Sequence, residues 1–444
     1  FKQKTAYEIR NCDWSSDVCS SDLRLVSRSL AESGRLIEQH LAHQLHREEL
    51  LHRFPDLQFL ALPCLHLYES QDVAYQHSAE RLSRFATAHP GLEAAVKLHY
   101  NRFNLGGGGN MCLAVKKSVV EASHSGDFVM LDSDTLVPFK TLYTTALISA
   151  VETCRQRPAS VITPVIAYRK RPTSVLEAGA LFGRGAWQLA EAEPMQPCIF
   201  PLHHGADLSD KKTQAELSRN LASDYPPFIF SLYHLGETVT AHERLPAPFF
   251  LRGDDVEYGF HLRSLGVRCS VQGSLVVFQD PKHSPWHEMM AILHSLVILI
   301  AYTEASSLAR LSAQLHAYFS ARLEAHISMR DLHGLSIYQI VIGRLRSLLD
   351  QPKHRLPSHF HDPSFYLGLR KLNAPYTHLN YDLAKALNTT LPDYTCCEMN
   401  FLYYPPRAAE DALPESIFLM NHLAETAAVL RSEEHTSELQ SQFR

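Results

Sequence analysis

The chain has 444 residues, of which 45% are hydrophobic and 20% are charged, and its formal net charge is −5. This composition is that of an ordinary globular protein, and the length is sufficient for two domains with sizeable cores. A nucleic-acid-binding surface requires clustered lysine and arginine, and the acidic balance argues against one, so we expect no nucleic-acid partner.

Both ends of the chain look like translated sequencing adapter. The segments are KQKTAYEI and DWSSDVCSSDL near the start and RSEEHTSELQS at residues 431–441. We therefore predict that residues 1–23 and 431–444 are non-native and take no part in the native fold. The cysteines between them show no C-x-x-C spacing, which favours reduced thiols in a cytoplasmic protein over a disulfide or zinc framework.

Apolar spacing predicts alternating helices and strands in the first part of the chain. In order, the pattern gives a helix over Arg24–Arg53, a buried strand in LQFLALPCLHLYES, a helix over Ala74–Ala88, a strand at Ala94–Tyr100, a helix near Met111–Ser123, a strand at Asp127–Leu131, a strand in PASVITPVIAYRKR and a turn with a short helix at Glu177–Trp187. Such alternation predicts an α/β fold with a doubly wound, mostly parallel, Rossmann-like sheet.

The character of the sequence changes after about Leu293, where long leucine- and alanine-rich helices begin. We predict one domain over residues 24–290 and a helical C-terminal region over residues 291–430. The longest uncharged run, MMAILHSLVILIAYT, has about 15 residues, fewer than the roughly 20 that a membrane-spanning helix needs. It is predicted to be a buried helix, with a membrane-surface helix as the alternative.

Two features follow predicted strands, at the sheet edge where open α/β sheets bind ligands. Gly106, Gly107 and Gly108 belong to a glycine run that either is a flexible loop or brings backbone close to an anion. The sequence Asp132-Ser133-Asp134 either forms a turn or supplies carboxylates to a hard divalent cation that bridges a pyrophosphate.

The segment FFLRGDDVEYGFHLRSLG places two adjacent carboxylates, Asp254 and Asp255, at the opening of an amphipathic helix. Acidic residues there stabilise the helix N-terminus, which explains one carboxylate. The second carboxylate, followed by Glu257, fits a general base that takes a proton from an acceptor hydroxyl.

His283 and His287 lie four residues apart, a spacing that on a helix puts both on one face as a metal pair. Pro285 between them argues against a regular helix at this point. The chain has 26 histidines, so a structural role for either residue is the simpler alternative.

Five segments occur in an order that resembles family 2 glycosyltransferases of the GT-A fold. They are NRFNLGGGGN, FVMLDSDTLVP, VLEAGALF, PAPFFLRGDDVEYGFHLRSLG and SPWHE, and the similarity covers roughly Leu57–Glu288. The chain is most similar to the bacterial galactofuranosyltransferases that polymerise cell-wall galactan, and RGDDVEYG is the most specific block.

The resemblance implies an inverting, metal-dependent transfer of a sugar from a UDP-sugar, such as UDP-galactofuranose, to a glycan or a lipid-linked glycan. It implies a cytoplasmic enzyme, with association at the inner face of the plasma membrane if the acceptor is lipid-linked. The residue roles that it implies are Asp132 and Asp134 as ligands of Mn²⁺ or Mg²⁺, His287 as the third ligand, Asp255 as the general base, Asp254 as the residue that orients the acceptor, Glu257 as a supporting or acceptor-binding group, Asn104 with the glycine run as donor-pocket residues, and Glu69 or Asp72 as contacts of the uridine.

Two departures from the family pattern bear on specificity. The family places tryptophans before and beside its Asp-Asp pair, whereas this chain has DYPPFIFSLY and Gly253 at those places. The family's first strand has no apparent counterpart after Arg24, so we expect part of the donor pocket to be missing.

Two other hypotheses stay open beside the glycosyltransferase. One is a catalytically silent protein of the same fold that binds a nucleotide sugar or a glycan. The other is a metal-dependent hydrolase or phosphotransferase. The sequence has no G-x-S-x-G elbow and no G-x-x-x-x-G-K-[ST] loop, which argues against a serine hydrolase and a P-loop NTPase.

Overall fold

The computed structural model describes residues 24–28, 33–53, 64–69, 72–89, 96–100, 106–116, 127–154, 158–182, 199–219, 221–235, 246, 249, 252–281, 285–302, 308–328 and 332–349. The predictions of adapter-derived ends concern residues outside these ranges. The chain divides into two compact units, which are described separately. The first unit takes its residues from Phe1–Ala180, Pro201–Pro248 and Asp254–Asp280, and the second from Leu181–Phe200, Phe249–Gly253 and Pro281–Arg444.

The strands are β1 Arg24–Arg28, β2 Cys64–Glu69, β3 Val96–Tyr100, β4 Phe128–Asp132, β5 Ser160–Tyr168, β6 Val175–Glu177, β7 Ala180–Phe182, β8 Ile199–Pro201, β9 Leu221–Ala222, β10 Phe230–His234 and β11 Arg268–Gln279. The helices are α1 Ser33–Arg53, α2 Asp72–Ala88, α3 Gly106–Val115, α4 Phe139–Cys154, α5 Lys211–Leu217, α6 Asp254–Ser264, α7 Pro285–Tyr302, α8 Leu308–Ser328 and α9 Leu332–Leu349.

A nine-stranded sheet forms the centre of the first unit. Its strand order is β3-β2-β1-β4-β10-β5-β11-β9, and β6 pairs with β5. The pairs β2–β3, β1–β2, β1–β4 and β5–β11 are parallel, and the inserted β10 is antiparallel to both β4 and β5. Helices connect the parallel strands, as the crossover connection of a parallel pair requires.

The sheet separates two hydrophobic cores, one on each face, and strand β4 contributes side chains to both. Because successive strand residues point to opposite faces, Val129 and Leu131 join one buried cluster and Phe128 and Met130 join the other. The first cluster includes residues of α1 and α4, and the second includes residues of α3 and α6. Helices therefore cover both faces, and the predicted α/β class with a doubly wound, mostly parallel sheet is confirmed.

Strand β1 corrects the expectation that the first strand has no counterpart. Residues Arg24–Arg28 pair in parallel with β2 on one side and β4 on the other, and helix α1 begins only at Ser33. The leucines of this stretch fit a helical spacing, but backbone pairing on both sides decides in favour of a strand. Tertiary context commonly overrides local propensity in this way.

Two further local predictions need correction. The glycine run forms the first turn of α3, which begins at Gly106, rather than a loop before a helix near Met111–Ser123; residues 117–123 of that predicted helix lie outside the described residues. Residues 175–182 form the short strands β6 and β7, joined through Gly179 in a left-handed conformation (φ 80°), where the first part of a turn with a short helix was predicted; residues 183–187 of that prediction lie outside the described residues. Strand pairing of β6 with β5 supplies backbone hydrogen bonds that the sequence pattern does not reveal.

In the second unit, α7 confirms the predicted buried helix. Its side chains Met290, Leu293, Val297 and Ile300 have no solvent exposure, and α8 and α9 confirm long helices as far as Leu349. The rest of the predicted helical region lies outside the described residues. A search of the described helices for one long and apolar enough to cross a membrane found none.

Helix α6 lies unusually close to the segment before β10. A Cβ atom on Gly259 would stand 2.5 Å from Tyr225 Cβ and 2.6 Å from Tyr225 Cα, which is far inside normal contact. One turn later, Arg263 forms an ion pair with Asp224 at 2.9 Å. The glycine and the ion pair together fix α6 on this segment.

We therefore predict that Gly259→Ala destabilises the protein by about 1–3 kcal/mol, because the added methyl group meets backbone that cannot rotate away. Gly343→Ala in α9 is the matched control, since nothing lies within 4 Å of its added Cβ. The control should be neutral or more stable by up to about 1 kcal/mol through helix propensity. Thermal unfolding of both variants checks this, and equal melting temperatures would contradict the close packing.

Candidate functional site

The Asp132-Ser133-Asp134 loop is fixed by backbone hydrogen bonds at the carboxyl end of β4. Asp132 N donates to Ile229 O at 3.0 Å, and Thr135 N donates to Asp132 O at 3.1 Å. Leu136 and Phe278 exchange two backbone hydrogen bonds of 2.8 and 2.9 Å, which hold the end of the loop against β11. The loop is thus a turn, as its composition allows, and it also points two carboxylates toward the end of β11.

Those two carboxylates converge on one amide nitrogen. Gln279 Nε2, at the last residue of β11, donates to Asp134 Oδ1 at 2.6 Å and to Asp132 Oδ2 at 3.3 Å. The amide is a neutral donor that partly offsets the repulsion of two adjacent negative charges. One oxygen atom of each carboxylate therefore lies within hydrogen-bond distance of the same amide nitrogen.

This donor set fits a divalent cation, because Mn²⁺ and Mg²⁺ prefer carboxylate oxygens in such positions. Ser133 lies between the two aspartates, and its buried hydroxyl oxygen has no hydrogen-bond partner among the described residues. Searched over the described part of the chain, no group of three His, Cys, Asp or Glu side chains is arranged to hold a metal ion. The predicted set of Asp132, Asp134 and His287 stays a prediction.

The three carboxylates of α6 differ in exposure. Asp254 and Glu257 are each only 4% exposed, whereas Asp255 is half-buried. The Asp255 carboxylate accepts a hydrogen bond from Val256 N at 2.9 Å, which orients it at the first turn of the helix. Asp255 therefore combines a fixed position with access to solvent, as a general base requires.

Strand alternation also relates Asp132 to the face that α6 covers. Asp132 follows Phe128 and Met130 at a spacing of two, and these residues belong to the cluster that contains Tyr258 and Leu262 of α6. Asp132 at the carboxyl end of β4 therefore belongs to the face of the sheet that helix α6 covers.

Glu177 is a buried carboxyl group beside the α6 carboxylates. The pKa of Glu177 is raised from its ordinary value of 4.5 to about 8, first by burial and then by the negative charge of Asp255, while a hydrogen bond from Tyr225 lowers it. Tyr225 Oη donates to Glu177 Oε2 at 3.3 Å, and Glu177 Oε1 has no partner among the described residues. With this pKa, Glu177 is mostly protonated at pH 7, close to the Asp255 carboxylate whose negative charge raises the pKa.

Helix α3 adjoins α6 in the same cluster of the first unit. The pKa of Cys112 is raised to about 11, chiefly by burial; Lys116 lowers it, and the negative charge of Glu257 on α6 raises it by a smaller amount. Gly108 is buried in the first turn of α3, where the backbone N–H groups of a helix N-terminus favour anions. The glycine run is thus a helix start rather than a loop, and that keeps an anion-binding role open for it.

Other predicted residues are placed only in part. Asn104 and His283 lie outside the described residues, and the backbone places Glu69 at the end of β2 and Asp72 at the start of α2. Helix α7 begins at Pro285, a position that suits proline because its missing N–H has no partner there. His287 lies in this first turn, in the second unit, and its metal role stays a prediction.

Sequence reasoning missed Gln279 and Glu177 as site residues. Gln279 ends the apolar run SLVVFQ just as Asp132 ends FVMLD, and that repeated pattern could have identified it. Glu177 is a charged residue in the otherwise apolar VLEAGALF, a signal of a buried carboxyl group.

No family model and no curated protein matches the chain. Among solved structures it is similar to the crystal structure of GalNAc-T7 with UDP, GalNAc and Mn²⁺, at 12% identity and a TM-score of 0.38. The match covers 66% of this chain and 51% of that chain, so this chain spans about half of the other's length.

The raised pKa of Glu177 predicts a pH-dependent stability. The ordinary value is 4.5 and the folded value is about 8, so the folded protein holds this proton more tightly than the unfolded chain. The stability should therefore fall as the pH rises from about 4.5 to about 8 and level off above that, by an amount on the order of a few kcal/mol. Glu177→Gln, which keeps the shape and neutrality, should reduce this fall.

Denaturant unfolding between pH 5 and pH 9 measures the effect. Glu80→Gln serves as the control because Glu80 is an exposed residue of α2. Parallel stability curves for the native protein and Glu177→Gln across this range would contradict a buried, neutral Glu177.

Proposed function

We propose that the chain is a metal-dependent glycosyltransferase of the GT-A type that moves a sugar from a UDP-sugar to a glycan or lipid-linked glycan. The observation that carries the proposal is the convergence of Asp132 and Asp134 on one point at the carboxyl end of β4. Open α/β sheets bind ligands at this edge. The half-buried Asp255 belongs to the same unit, on a helix that covers the same face of the sheet.

Asp132 and Asp134 would hold Mn²⁺ or Mg²⁺, with His287 as the third ligand that the sequence resemblance implies. A bound cation would neutralise the negative charge that develops on the departing UDP. The first turn of α3, with Gly106, Gly107 and Gly108, and the preceding Asn104 would line the donor pocket. Glu69 or Asp72 would contact the uridine.

Asp255 would act as the general base. In an inverting transfer, the acceptor oxygen forms a bond to the anomeric carbon while the bond from that carbon to UDP breaks, and the acceptor proton passes to Asp255. Asp254 would orient the acceptor, and Glu257 would support the base or bind the acceptor, as the sequence resemblance implies. A neutral Glu177 would avoid a further negative charge beside the base.

UDP-galactofuranose is the donor that the sequence resemblance favours, with related UDP-hexoses as alternatives. A lipid-linked acceptor would bring the enzyme to the inner face of the plasma membrane, as a cytoplasmic protein that associates with the surface. The tryptophans that the family uses beside its Asp-Asp pair are replaced here, so the acceptor should differ from that of the galactan polymerases.

Asp255→Asn tests the proposed chemistry. Removing the base should reduce sugar transfer by a factor of about 10² to 10⁴, the usual contribution of a general base. Binding of UDP with Mn²⁺ should stay within about twofold of the native value, since the change lies outside the residues that hold the cation. Chromatographic detection of UDP and of the glycosylated acceptor measures both transfer and side reactions.

Asp280→Asn is the matched control, because Asp280 accepts a hydrogen bond from Lys170 N and has no proposed role in transfer. Unchanged turnover in Asp255→Asn would contradict the role of the base. UDP binding without any turnover in the native protein would favour the catalytically silent binding protein. Release of free sugar at a rate independent of acceptor would instead indicate a hydrolase.

A further inference from the structure

His294 is a polar residue in the middle of the apolar helix α7. Its side chain has no solvent exposure, and its neighbours Leu293, Leu296 and Val297 are equally buried. Placing an imidazole in such surroundings costs free energy unless the ring nitrogens find partners. The apolar character of the helix gives no reason for a histidine at this position, so its contacts must supply one.

Two contacts of His294 are with the segment Phe249–Gly253, which belongs to the same compact unit. His294 Nδ1 lies 2.7 Å from Arg252 O, and because a carbonyl oxygen can only accept, Nδ1 carries the proton and donates. The His294 ring also stacks on the ring of Phe249, with centroids 4.3 Å apart and planes 11° from parallel.

The residues held in this way have an uncommon backbone conformation. Arg252 has φ 65° and Gly253 has φ 82°, both in the left-handed region, which a residue with a long side chain rarely adopts. A Cβ atom on Gly253 would stand 2.9 Å from His294 Cβ, so glycine is required for the close approach as well as for the conformation. Conformations of this kind persist only where their surroundings hold them.

The next residue in the chain is Asp254, the first residue of α6, followed by Asp255. We propose that His294 is a positioning residue for the proposed transfer reaction: it holds the Arg252 carbonyl and the Phe249 ring, and so fixes the backbone that leads directly into the Asp254-Asp255 pair. The inference rests on the proposed function for its catalytic consequence. The local claim, that His294 fixes the Arg252-Gly253 turn, stands independently of any reaction.

Two substitutions separate the contacts of His294. His294→Phe keeps an aromatic ring to stack on Phe249 but removes the donor to Arg252 O. His294→Asn removes the ring but places an amide N–H where Nδ1–H stood, so it can still donate to that carbonyl. Ser295→Ala, at the adjacent buried position of α7, is the control for a general change in the helix.

Hydrogen–deuterium exchange of the peptide 249–258 tests the local claim without substrate. His294→Phe should speed exchange there by about tenfold or more, because a local hydrogen bond restrains opening of the turn. His294→Asn and Ser295→Ala should stay within about threefold of the native protein. Equal exchange in His294→Phe and the native protein would overturn the proposal, and that comparison decides it even if His294→Asn does not fold.

Turnover with UDP-galactofuranose and an oligosaccharide acceptor tests the catalytic consequence. His294→Phe should lower kcat by about tenfold or more with little change in KM for the donor, since a shift of the base costs rate rather than donor binding. His294→Asn should restore most of kcat. Faster exchange with an unchanged kcat would overturn the positioning role. If the native protein shows no turnover with this or any UDP-hexose, that result counts against the proposed function, and the exchange measurement alone decides the local claim about His294.

Discussion

The close contact between α6 and Tyr225 is the constraint on which the candidate site depends. Only glycine at position 259 lets the helix approach the backbone of Asp224 and Tyr225, and Arg263 then secures it through the ion pair with Asp224. Tyr225 in turn donates its hydroxyl to Glu177. The contact therefore sets the position of the carboxylates at the start of α6, and Tyr225 links it to the buried acid of β6. A looser helix would leave the α6 carboxylates without a fixed position.

The second constraint on the site is the repulsion among its negatively charged side chains. The two aspartates at the carboxyl end of β4, the three carboxylates on α6 and Glu177 would repel one another strongly if all were charged in a low-dielectric interior. The protein separates them by different means. The Gln279 amide stands between Asp132 and Asp134, the helix N-terminus favours the acids of α6, and burial keeps Glu177 neutral. A divalent cation at the first pair would complete this compensation.

Elements that depend on local interactions could be predicted from the sequence, whereas elements that depend on pairing between distant segments could not. The apolar run before Asp132 and the amphipathic run after Asp254 are local signals, and β4 and α6 were predicted from them. Strand β1 was missed because its leucines fit a helical spacing while its identity depends on pairing with β2 and β4. The glycine run favours a loop because glycine disfavours helices, yet here it forms the first turn of one.

The candidate site was predictable only where the sequence places its groups together. Asp132 with Asp134, and Asp254 with Asp255, are neighbours in the chain. Gln279 lies 147 and 145 positions from Asp132 and Asp134 in the sequence, and Tyr225 lies 48 positions from Glu177. No local sequence pattern indicates contacts over such separations. The hydrogen bond of His294 to Arg252 spans 42 positions and was equally invisible to sequence reasoning.

Calorimetric titration of residues 24–430 with UDP, in Mn²⁺ and then in EDTA, tests the central claim that Asp132 and Asp134 hold a cation for a UDP-sugar. We expect UDP to bind only with the metal present and GDP to bind more weakly. Asp134→Asn should lower the UDP affinity by about tenfold or more, because loss of a charged metal ligand weakens the site at least this much. Binding of UDP that is unaffected by EDTA and by Asp134→Asn would contradict the account. Absence of UDP binding by the folded protein would contradict it equally.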